Sequence, residues 1–257
     1  MKSFLAYIFV AALVVATLAC EKNLLDQNVQ SQYVDQTSSA NLKVVNAYTF
    51  SMPVAPAAVG ATRFYVYQNA AKLNGNAVSA AGAWPGPSVY ATIPATKSFV
   101  SMILDRRVGN DYGQVQRGDT TFRAEFSFVA GKYYTAFMVD QFPKQTLLFT
   151  EDDMTIPATG KYRVRIANLI PDPARPIDVY SRREKTKIAT NVNYKDVKAM
   201  VELSVPTIAD TLDVMEAGTS KSVYFATYQP VSGRIYTFYT YGRKGFAAER
   251  LTSYINR

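Results

Sequence analysis

The sequence predicts an all-β protein made of two tandem domains. The chain holds 18 Tyr and 14 Phe against one Trp in 257 residues. Aromatic and β-branched residues favour strands, and no long helical periodicity is present. The length suits two modest domains, and an internal repeat of roughly one hundred residues divides the chain accordingly.

The repeat is carried by four short segments that recur in the same order. Residues 42–46 (LKVVN) correspond to residues 164–168 (VRIAN), and their separation is 122 residues. Three later correspondences follow, in which residues 64–67 match 177–180, residues 90–94 match 202–206, and residues 131–135 match 233–237. The separation falls to 102 residues at the last of these. This pattern indicates a duplication whose first copy has the longer loops.

The beginning of the chain predicts a lipoprotein signal peptide over residues 1–19. Lys2 precedes an apolar run at residues 4–15, and the small residue Ala19 precedes Cys20, the sole cysteine. This stretch resembles the lipobox of bacterial lipoproteins, which implies that Cys20 becomes the acylated N-terminus. Glu21 stands where an inner-membrane lipoprotein commonly has Asp, so we expect the outer membrane. Residues 20–39 are then the lipidated Cys and a flexible tether. The alternative to a lipoprotein signal is an ordinary signal peptide or an anchor helix with a chance Cys.

Composition restricts the chemistry that the chain can perform. It has no histidine and one cysteine, so no imidazole base, Cys–His pair, internal disulfide or thiolate zinc site can form. Asp172 and Asp178 could be taken for the carboxylate pair of a hydrolase. However, Asp178 corresponds to Tyr65 in the first copy, and Asp beside Pro is common in turns. We therefore expect no enzymatic activity, no cofactor and no metal.

The first domain is predicted over residues 40–157. Strands are expected at residues 42–46, 63–69, 89–93, 97–105, 120–128, 133–142 and 146–150. Long connections at residues 74–88 and 106–118 separate some of them, and long loops on a β scaffold often carry binding residues. The first connection holds Trp84, which either stacks on a sugar or partner at a loop tip, or covers its own domain's core.

Two further motifs in this domain have ordinary explanations. Residues 117–119 (RGD) form the tripeptide that integrins read, but Gly-Asp before a strand is also common turn chemistry. Residues 151–153 (EDD) could offer oxygen ligands to calcium, yet the spacing of a calcium loop is missing. We expect residues 151–153 to belong to a solvated linker between the domains.

The second domain is predicted over residues 161–257. Strands are expected at residues 162–168, 177–181, 187–194, 199–205, 211–216, 222–228, 234–241 and 247–254. Seven or eight short strands with regular turn signals fit a sandwich of the immunoglobulin or transthyretin kind. In the first strand, Arg163 and Arg165 alternate with Tyr162, Val164 and Ile166, so both arginines are predicted on an exposed face.

Two pairs of residues are predicted to be structural. Tyr134 and Tyr236 each follow a glycine at the start of a late strand and resemble tyrosine corners, in which the hydroxyl bonds to nearby backbone. Asn46 and Asn168 end equivalent strands, where a side-chain amide can satisfy backbone groups as the chain turns away.

Charge is divided unequally between the domains. Residues 21–160 carry 11 basic and 11 acidic residues, whereas residues 161–257 carry 16 and 9. Candidate ligand-binding cations are Arg163, Arg165 and a predicted hairpin of Arg182, Arg183, Lys185 and Lys187. We expect this surface to attract anionic polysaccharide, lipopolysaccharide or an acidic protein. Nucleic acid is not expected as a partner of an exported lipoprotein. The alternative to polyanion binding is that the positive charge serves only solubility.

Residues 168–172 (NLIPD), 177–180 (IDVY) and 233–237 (GRIYT) carry a wider resemblance. At these segments the chain resembles a family of bacterial envelope lipoproteins with tandem β-sandwich domains of unknown function. The resemblance implies an Ig-like or prealbumin-like module on the cell envelope. Our leading hypothesis is a non-enzymatic, lipid-anchored binding or adhesion module. The alternative is an accessory lipoprotein that captures glycans for uptake through Trp84 and exposed tyrosines.

Overall fold

The computed structural model describes residues 35–48, 63–104, 120–140, 144–172, 174–243 and 247–257. The predicted signal peptide, Cys20, most of the tether and the RGD motif lie outside these residues. Within them, no helix is long and apolar enough to cross a membrane.

The described residues are all-β apart from one 3₁₀ turn, Gln36–Ser38, which confirms the predicted class. The strands of the first half are β1 (Ser39–Asn46), β2 (Phe64–Gln68), β3 (Ala71–Lys72), β4 (Ala83–Trp84), β5 (Ala91–Pro94), β6 (Lys97–Leu104), β7 (Thr120–Ser127), β8 (Tyr133–Val139) and β9 (Thr146–Glu151). Those of the second half are β10 (Lys161–Ala167), β11 (Ile177–Ser181), β12 (Thr186–Val192), β13 (Val201–Ser204), β14 (Asp210–Glu216), β15 (Ser222–Tyr228), β16 (Ile235–Arg243) and β17 (Ala247–Ile255).

Each half contains two sheets. The strand orders of the two halves match, with β5 of the first half equivalent to β13 of the second. In the first half, sheet I has the order β4-β1-β8-β9 with β5 also paired to β1, and sheet II has the order β3-β2-β6-β7. In the second half, sheet III has the order β13-β10-β16-β17 and sheet IV the order β12-β11-β14-β15. The duplication predicted from the sequence is therefore present in the strand order.

Strand register supports the duplication and corrects one of its four correspondences. Lys43 on β1 lies opposite Thr135 on the parallel strand β8, just as Arg165 on β10 lies opposite Thr237 on β16. Lys43 and Arg165 are 122 residues apart in the sequence, and Thr135 and Thr237 are 102 residues apart, which are the predicted separations. In contrast, Ala91 is equivalent to Val201, because Leu42 opposes the first and Val164 the second. The predicted match of residues 90–94 is therefore two residues out, a shift that preserves the side-chain faces and so leaves the apolar pattern unchanged.

Each half has its own hydrophobic core, to which both of its sheets contribute. In the first half, Leu42 and Val44 of sheet I share a cluster with Phe64, Val66 and other residues of sheet II. In the second half, Val164 and Ile166 of sheet III cluster in the same way with residues of sheet IV. The alternating strand residues of each sheet thus meet across a shared interior, as period two requires.

A third cluster joins the halves. Val45, Phe137 and Val139 of sheet I belong to one buried cluster with Tyr239 and Tyr254 of sheet III. Hydrogen bonds reinforce it, among them Tyr239 Oη to the carbonyl of Ala81 at 2.9 Å. Asp35–Arg257 accordingly form one compact unit, and the predicted boundary near residues 157–161 lies inside it. Independent folding of the halves stays a prediction.

Candidate binding surface

The predicted hairpin is present, but only part of its charge is free to act on a ligand. β11 and β12 are joined by a turn over residues 182–185. Arg182 makes a bidentate ion pair with Asp213, at 2.6 and 2.8 Å, and Lys187 pairs with Asp178 at 2.6 Å. The salt links therefore neutralise two of the four predicted cations.

Arg183 and Lys185 are the cations that the hairpin presents. Both are exposed, and no ion pair of either occurs within the part of the chain that the structure describes. Glu184 is exposed between them and offsets part of their charge. The tip is fixed from below, since the backbone N–H of Arg183 donates to Asp210 Oδ1 at 3.1 Å. The hairpin thus presents two exposed cations on a turn whose backbone is held by Asp210.

An exposed aromatic residue lies next to this hairpin. On β15, Tyr224, Ala226 and Tyr228 pack against the core, so the alternating residues Val223 and Phe225 face outward. Phe225 is 60% exposed, and the Arg182 guanidinium carbon lies 5.4 Å from its ring centroid. The register places Phe225 opposite Asp213, the carboxylate that holds Arg182. Phe225 carries no distinct signal in the sequence, because residues 222–228 have apolar side chains on both faces of the strand.

Asp178, one member of the possible carboxylate pair, is held by hydrogen bonds within the fold. It is buried and accepts hydrogen bonds from Lys187 Nζ and from the backbone N–H groups of Asn191 and Gly218. Burial favours the neutral acid, but these three donors outweigh it and hold the pKa of Asp178 below its ordinary value. Asp172 is paired as well, with Arg175 at 3.5 Å.

The prediction that Arg163 and Arg165 occupy an exposed strand face is wrong for Arg165. Its side chain is 4% exposed and forms an ion pair with the fully buried carboxylate of Asp152. It also donates to Thr237 Oγ1 at 2.9 Å and to Tyr254 Oη at 3.2 Å. That face of sheet III is covered by the first half, which a single strand pattern cannot reveal. Arg163 is half-buried and pairs with Asp153 at 2.6 Å.

The solvated linker predicted at residues 151–153 is likewise wrong at its central residue. Asp152 is buried and accepts hydrogen bonds from Tyr90 Oη and Thr135 Oγ1, both at 2.6 Å, in addition to its pair with Arg165. Among the described residues, no group of three acidic or other metal-ligating side chains is placed to hold a metal ion. Asp152 therefore belongs to a buried polar cluster between the halves.

Lys43 completes this buried cluster. Its Nζ donates to the carbonyls of Ile255 at 2.7 Å and Pro87 at 3.2 Å. The same atom lies 4.5 and 4.7 Å from the ring centroids of Tyr90 and Tyr254. Burial disfavours the ammonium form and lowers the pKa of Lys43 to about 8.

The connection predicted at residues 74–88 contains a short strand, and Trp84 does not lie at a loop tip. It lies on the short strand β4, opposite Val44 of β1. Its side chain is half-buried and packs against the core of the first half. The structure thus agrees with the alternative in which Trp84 covers its own domain's core.

The residues predicted to be structural occupy the expected positions. The hydroxyls of Tyr134 and Tyr236 accept hydrogen bonds from the backbone N–H groups of Val129 at 3.3 Å and Val231 at 3.1 Å. Asn46 accepts from the N–H of Tyr48, and Asn168 donates to the carbonyl of Val192. The tyrosine-corner geometry is therefore confirmed in both halves, as is the capping role of the asparagines.

The fold and this surface define a duplicated all-β protein with an exposed cationic and aromatic patch on its second half. The sequence matches the family described as Domain of unknown function (DUF4397) over residues 40–180, which is more than half of the chain. The chain belongs to that family. No curated protein sequence matches it.

Several solved structures show distant similarity. The Bacillus anthracis TIE protein is 13% identical, with a TM-score of 0.23, over 80% of this chain and 34% of its own. This chain thus spans about a third of that protein's length. A family CBM26 module from Eubacterium rectale Amy13K, solved with maltoheptaose, is 15% identical, with a TM-score of 0.26, over 83% of this chain and 96% of its own.

A family 41 carbohydrate-binding module from streptococcal virulence factors is 10% identical, with a TM-score of 0.26, over 84% of this chain and 97% of its own. Similarities at this level do not indicate a function for this chain.

Proposed function

We propose that the protein is a non-enzymatic binding or adhesion module, held at the outer membrane by lipid on Cys20, that binds anionic polymers of the cell envelope. In this proposal each half is an Ig-like or transthyretin-like sandwich. Three features support it: the sole cysteine follows a signal-like apolar run, both halves have scaffold-like motifs, and an exposed hairpin tip carries two cations.

The exposed pair Arg183 and Lys185 is the observation on which polymer binding rests. Both side chains reach water from a turn whose base is fixed by Asp210 and Asp213. The backbone of the turn is held at its base, so the two exposed cations project from a defined position and attract negative charge from a distance. Because exposed charges are screened over about 8 to 10 Å at physiological ionic strength, the binding should weaken steeply with salt.

Retention on phosphocellulose tests this binding with the full-length chain in a non-ionic detergent. The double variant Arg183→Gln/Lys185→Gln should elute at lower salt than the wild type. The matched control is Lys97→Gln/Lys132→Gln, which removes the same charge from two exposed lysines of the first half. Equal elution of the two double variants would show that net charge alone, and not the hairpin, governs retention.

The lipid anchor is tested separately. Cys20→Ala should move the protein from the detergent phase to the aqueous phase in a detergent partition experiment, because acyl chains supply the membrane affinity. A Cys20→Ala variant that stays in the detergent phase would refute the anchor.

Glycan capture through Trp84 is the alternative function. A glycan array that compares the wild type with Trp84→Ala distinguishes it from polymer binding at the hairpin. The half-buried position of Trp84 against its own core gives this alternative less support.

A further inference from the structure

Phe225 stands out among the exposed residues of the second half. The residue is 60% exposed on β15, an outer strand of sheet IV. Arg182 lies over the ring, and the Asp213 carboxylate accepts hydrogen bonds from Nε and Nη2 of that guanidinium. Ser222 Oγ donates to the same carboxylate at 3.0 Å, which fixes it further. A large aromatic side chain thus contacts a hydrogen-bonded guanidinium while most of its surface faces water.

Polar groups lie beside Phe225 on the same face of sheet IV. Thr211 and Thr227 form a hydroxyl pair at 3.0 Å on the neighbouring positions of β14 and β15. The backbone N–H of Arg182 bonds to the carbonyl of Thr211, so the hairpin tip begins beside this pair. The ring and the hydroxyl pair therefore lie on one face of sheet IV, and the turn that carries Arg183 and Lys185 begins beside them.

We propose that this surface, formed by Phe225, Thr211, Thr227, Arg183 and Lys185, is a binding site for an acidic polysaccharide. The C–H face of one sugar ring packs on Phe225, and sugar hydroxyls bond to the threonines. Carboxylates of the polymer meet Arg183 and Lys185, which are cations suited to carboxylate oxygens. The inference rests on the proposed function and adds the class of polymer that the hairpin binds.

The chemistry of the surface favours a sugar over an acidic protein segment. A stable protein interface buries about 800 Å² on each partner around an apolar, aromatic-rich centre. Here the exposed large apolar residues of β15 are Phe225 and Val223, and hydroxyl and charged groups surround them. A pyranose needs one aromatic face and several polar partners, which is the composition observed.

Affinity for three polyanions tests this site with the full-length chain in a non-ionic detergent. The probes are polygalacturonate, poly-L-glutamate and polyphosphate, of which only the first contains sugar rings. Phe225→Ala should weaken binding of polygalacturonate by about three- to tenfold, as aromatic contacts of this kind allow. Binding of the other two polymers should stay within about twofold. Phe225→Leu keeps an apolar side chain without the ring and should behave like Phe225→Ala.

A matched control comes from the first half. There Arg123 occupies the position equivalent to Phe225, and its guanidinium carbon lies 4.1 Å from the ring centroid of Phe99. Phe99→Ala therefore removes a ring beneath an arginine on the half without excess charge, and it should leave all three affinities unchanged.

The outcomes separate this inference from the proposed function. Equal weakening on poly-L-glutamate would identify the occupant as an acidic protein segment and overturn the sugar site. Unchanged polygalacturonate affinity in Phe225→Ala, or no binding of this polymer by the wild type, would also overturn it. If the wild type still binds polyphosphate in a salt-dependent way, the proposed function survives; if it binds none of the three, both fail.

Discussion

Lys43 in the first half and Arg165 in the second occupy equivalent positions, and both are buried where the halves meet. Their partners differ. Arg165 pairs with the buried carboxylate of Asp152, whereas Lys43 relies on two backbone carbonyls and two tyrosine rings. The position equivalent to Asp152 is Asn256, whose Oδ1 accepts from Thr237 as Asp152 accepts from Thr135. Duplication thus kept the geometry and changed the charge.

This difference teaches how two copies of one fold can be made complementary. Among the described residues, this cluster contains two cations, Lys43 and Arg165, and one carboxylate, Asp152, so it has an excess positive charge when Lys43 is protonated. A guanidinium stays charged in proteins, while a lysine can lose its proton when buried. The second half therefore supplies the permanent cation of the ion pair with Asp152, and the first half supplies the cation whose charge depends on pH.

Separating the halves should have the largest effect. Alone, residues 161–257 keep their own core but expose Tyr239, Tyr254 and the unpaired cation Arg165. We expect this fragment to unfold cooperatively at a temperature well below that of the full chain. Circular dichroism during heating measures both properties. A fragment as stable as the full chain would show that the joint contributes little, and a molten fragment would show that the halves fold only together.

Breaking the buried ion pair should have the next largest effect. Arg165→Met leaves the Asp152 carboxylate without its guanidinium, and loss of one partner of a buried pair costs about 3 to 5 kcal/mol. Urea unfolding of the full chain measures this change. Lys132→Met is the control, since it breaks the exposed pair with Glu151 nearby and should cost at most about 1 kcal/mol. Similar losses in the two variants would contradict the importance of burial.

Lys43→Met should behave differently from Arg165→Met although the positions are equivalent. It removes the excess cation and leaves the Arg165–Asp152 pair intact, so we expect a change within about 1 kcal/mol near pH 7. The pH dependence is the sharper measurement. The pKa of Lys43 is about 8 in the folded chain against an ordinary value of 10.5, so the unfolded chain binds more protons between these values.

Stability should therefore rise with pH above about 8, by up to about 1.4 kcal/mol per pH unit. Burial also raises the pKa of Tyr90 and Tyr254, which opposes the rise once unfolded tyrosines ionise near pH 10. Urea unfolding between pH 7.5 and 9.5 isolates Lys43, and the rise should vanish in Lys43→Met. A rise of the same slope in Lys43→Met would assign the effect to another group.

Much of the fold could be predicted from the sequence because strand alternation is a local property. The predicted strands at residues 177–181 and 222–228 coincide with β11 and β15. The short strands β3 and β4 were missed, since two residues are too few to show a period. The tyrosine corners were found because glycine and tyrosine keep a fixed spacing in both copies.

The buried polar cluster between the halves was less predictable, because burial between two halves of a chain is not a local property of the sequence. Arg165 alternates with apolar residues as an exposed residue does, and the triplet at residues 151–153 has the composition of a solvated linker. Only the partner surface decides that Arg165 and Asp152 are inside. One signal was available, since Lys43 and Arg165 recur as cations at the same position of the repeat, which suggests a shared environment for that position.

The tyrosine corners should give the smallest effect and the closest comparison between the halves. Tyr134→Phe and Tyr236→Phe each remove one hydroxyl that accepts a backbone hydrogen bond, while the rings stay packed. One such bond contributes about 0.5 to 1.5 kcal/mol, so each variant should lose about 1 kcal/mol in urea unfolding. Because the two corners have the same geometry, the losses should agree within about 0.5 kcal/mol. A loss confined to Tyr236→Phe would show that the corner in the first half no longer contributes to stability, and that the copies have diverged in their scaffolds as well as at the joint.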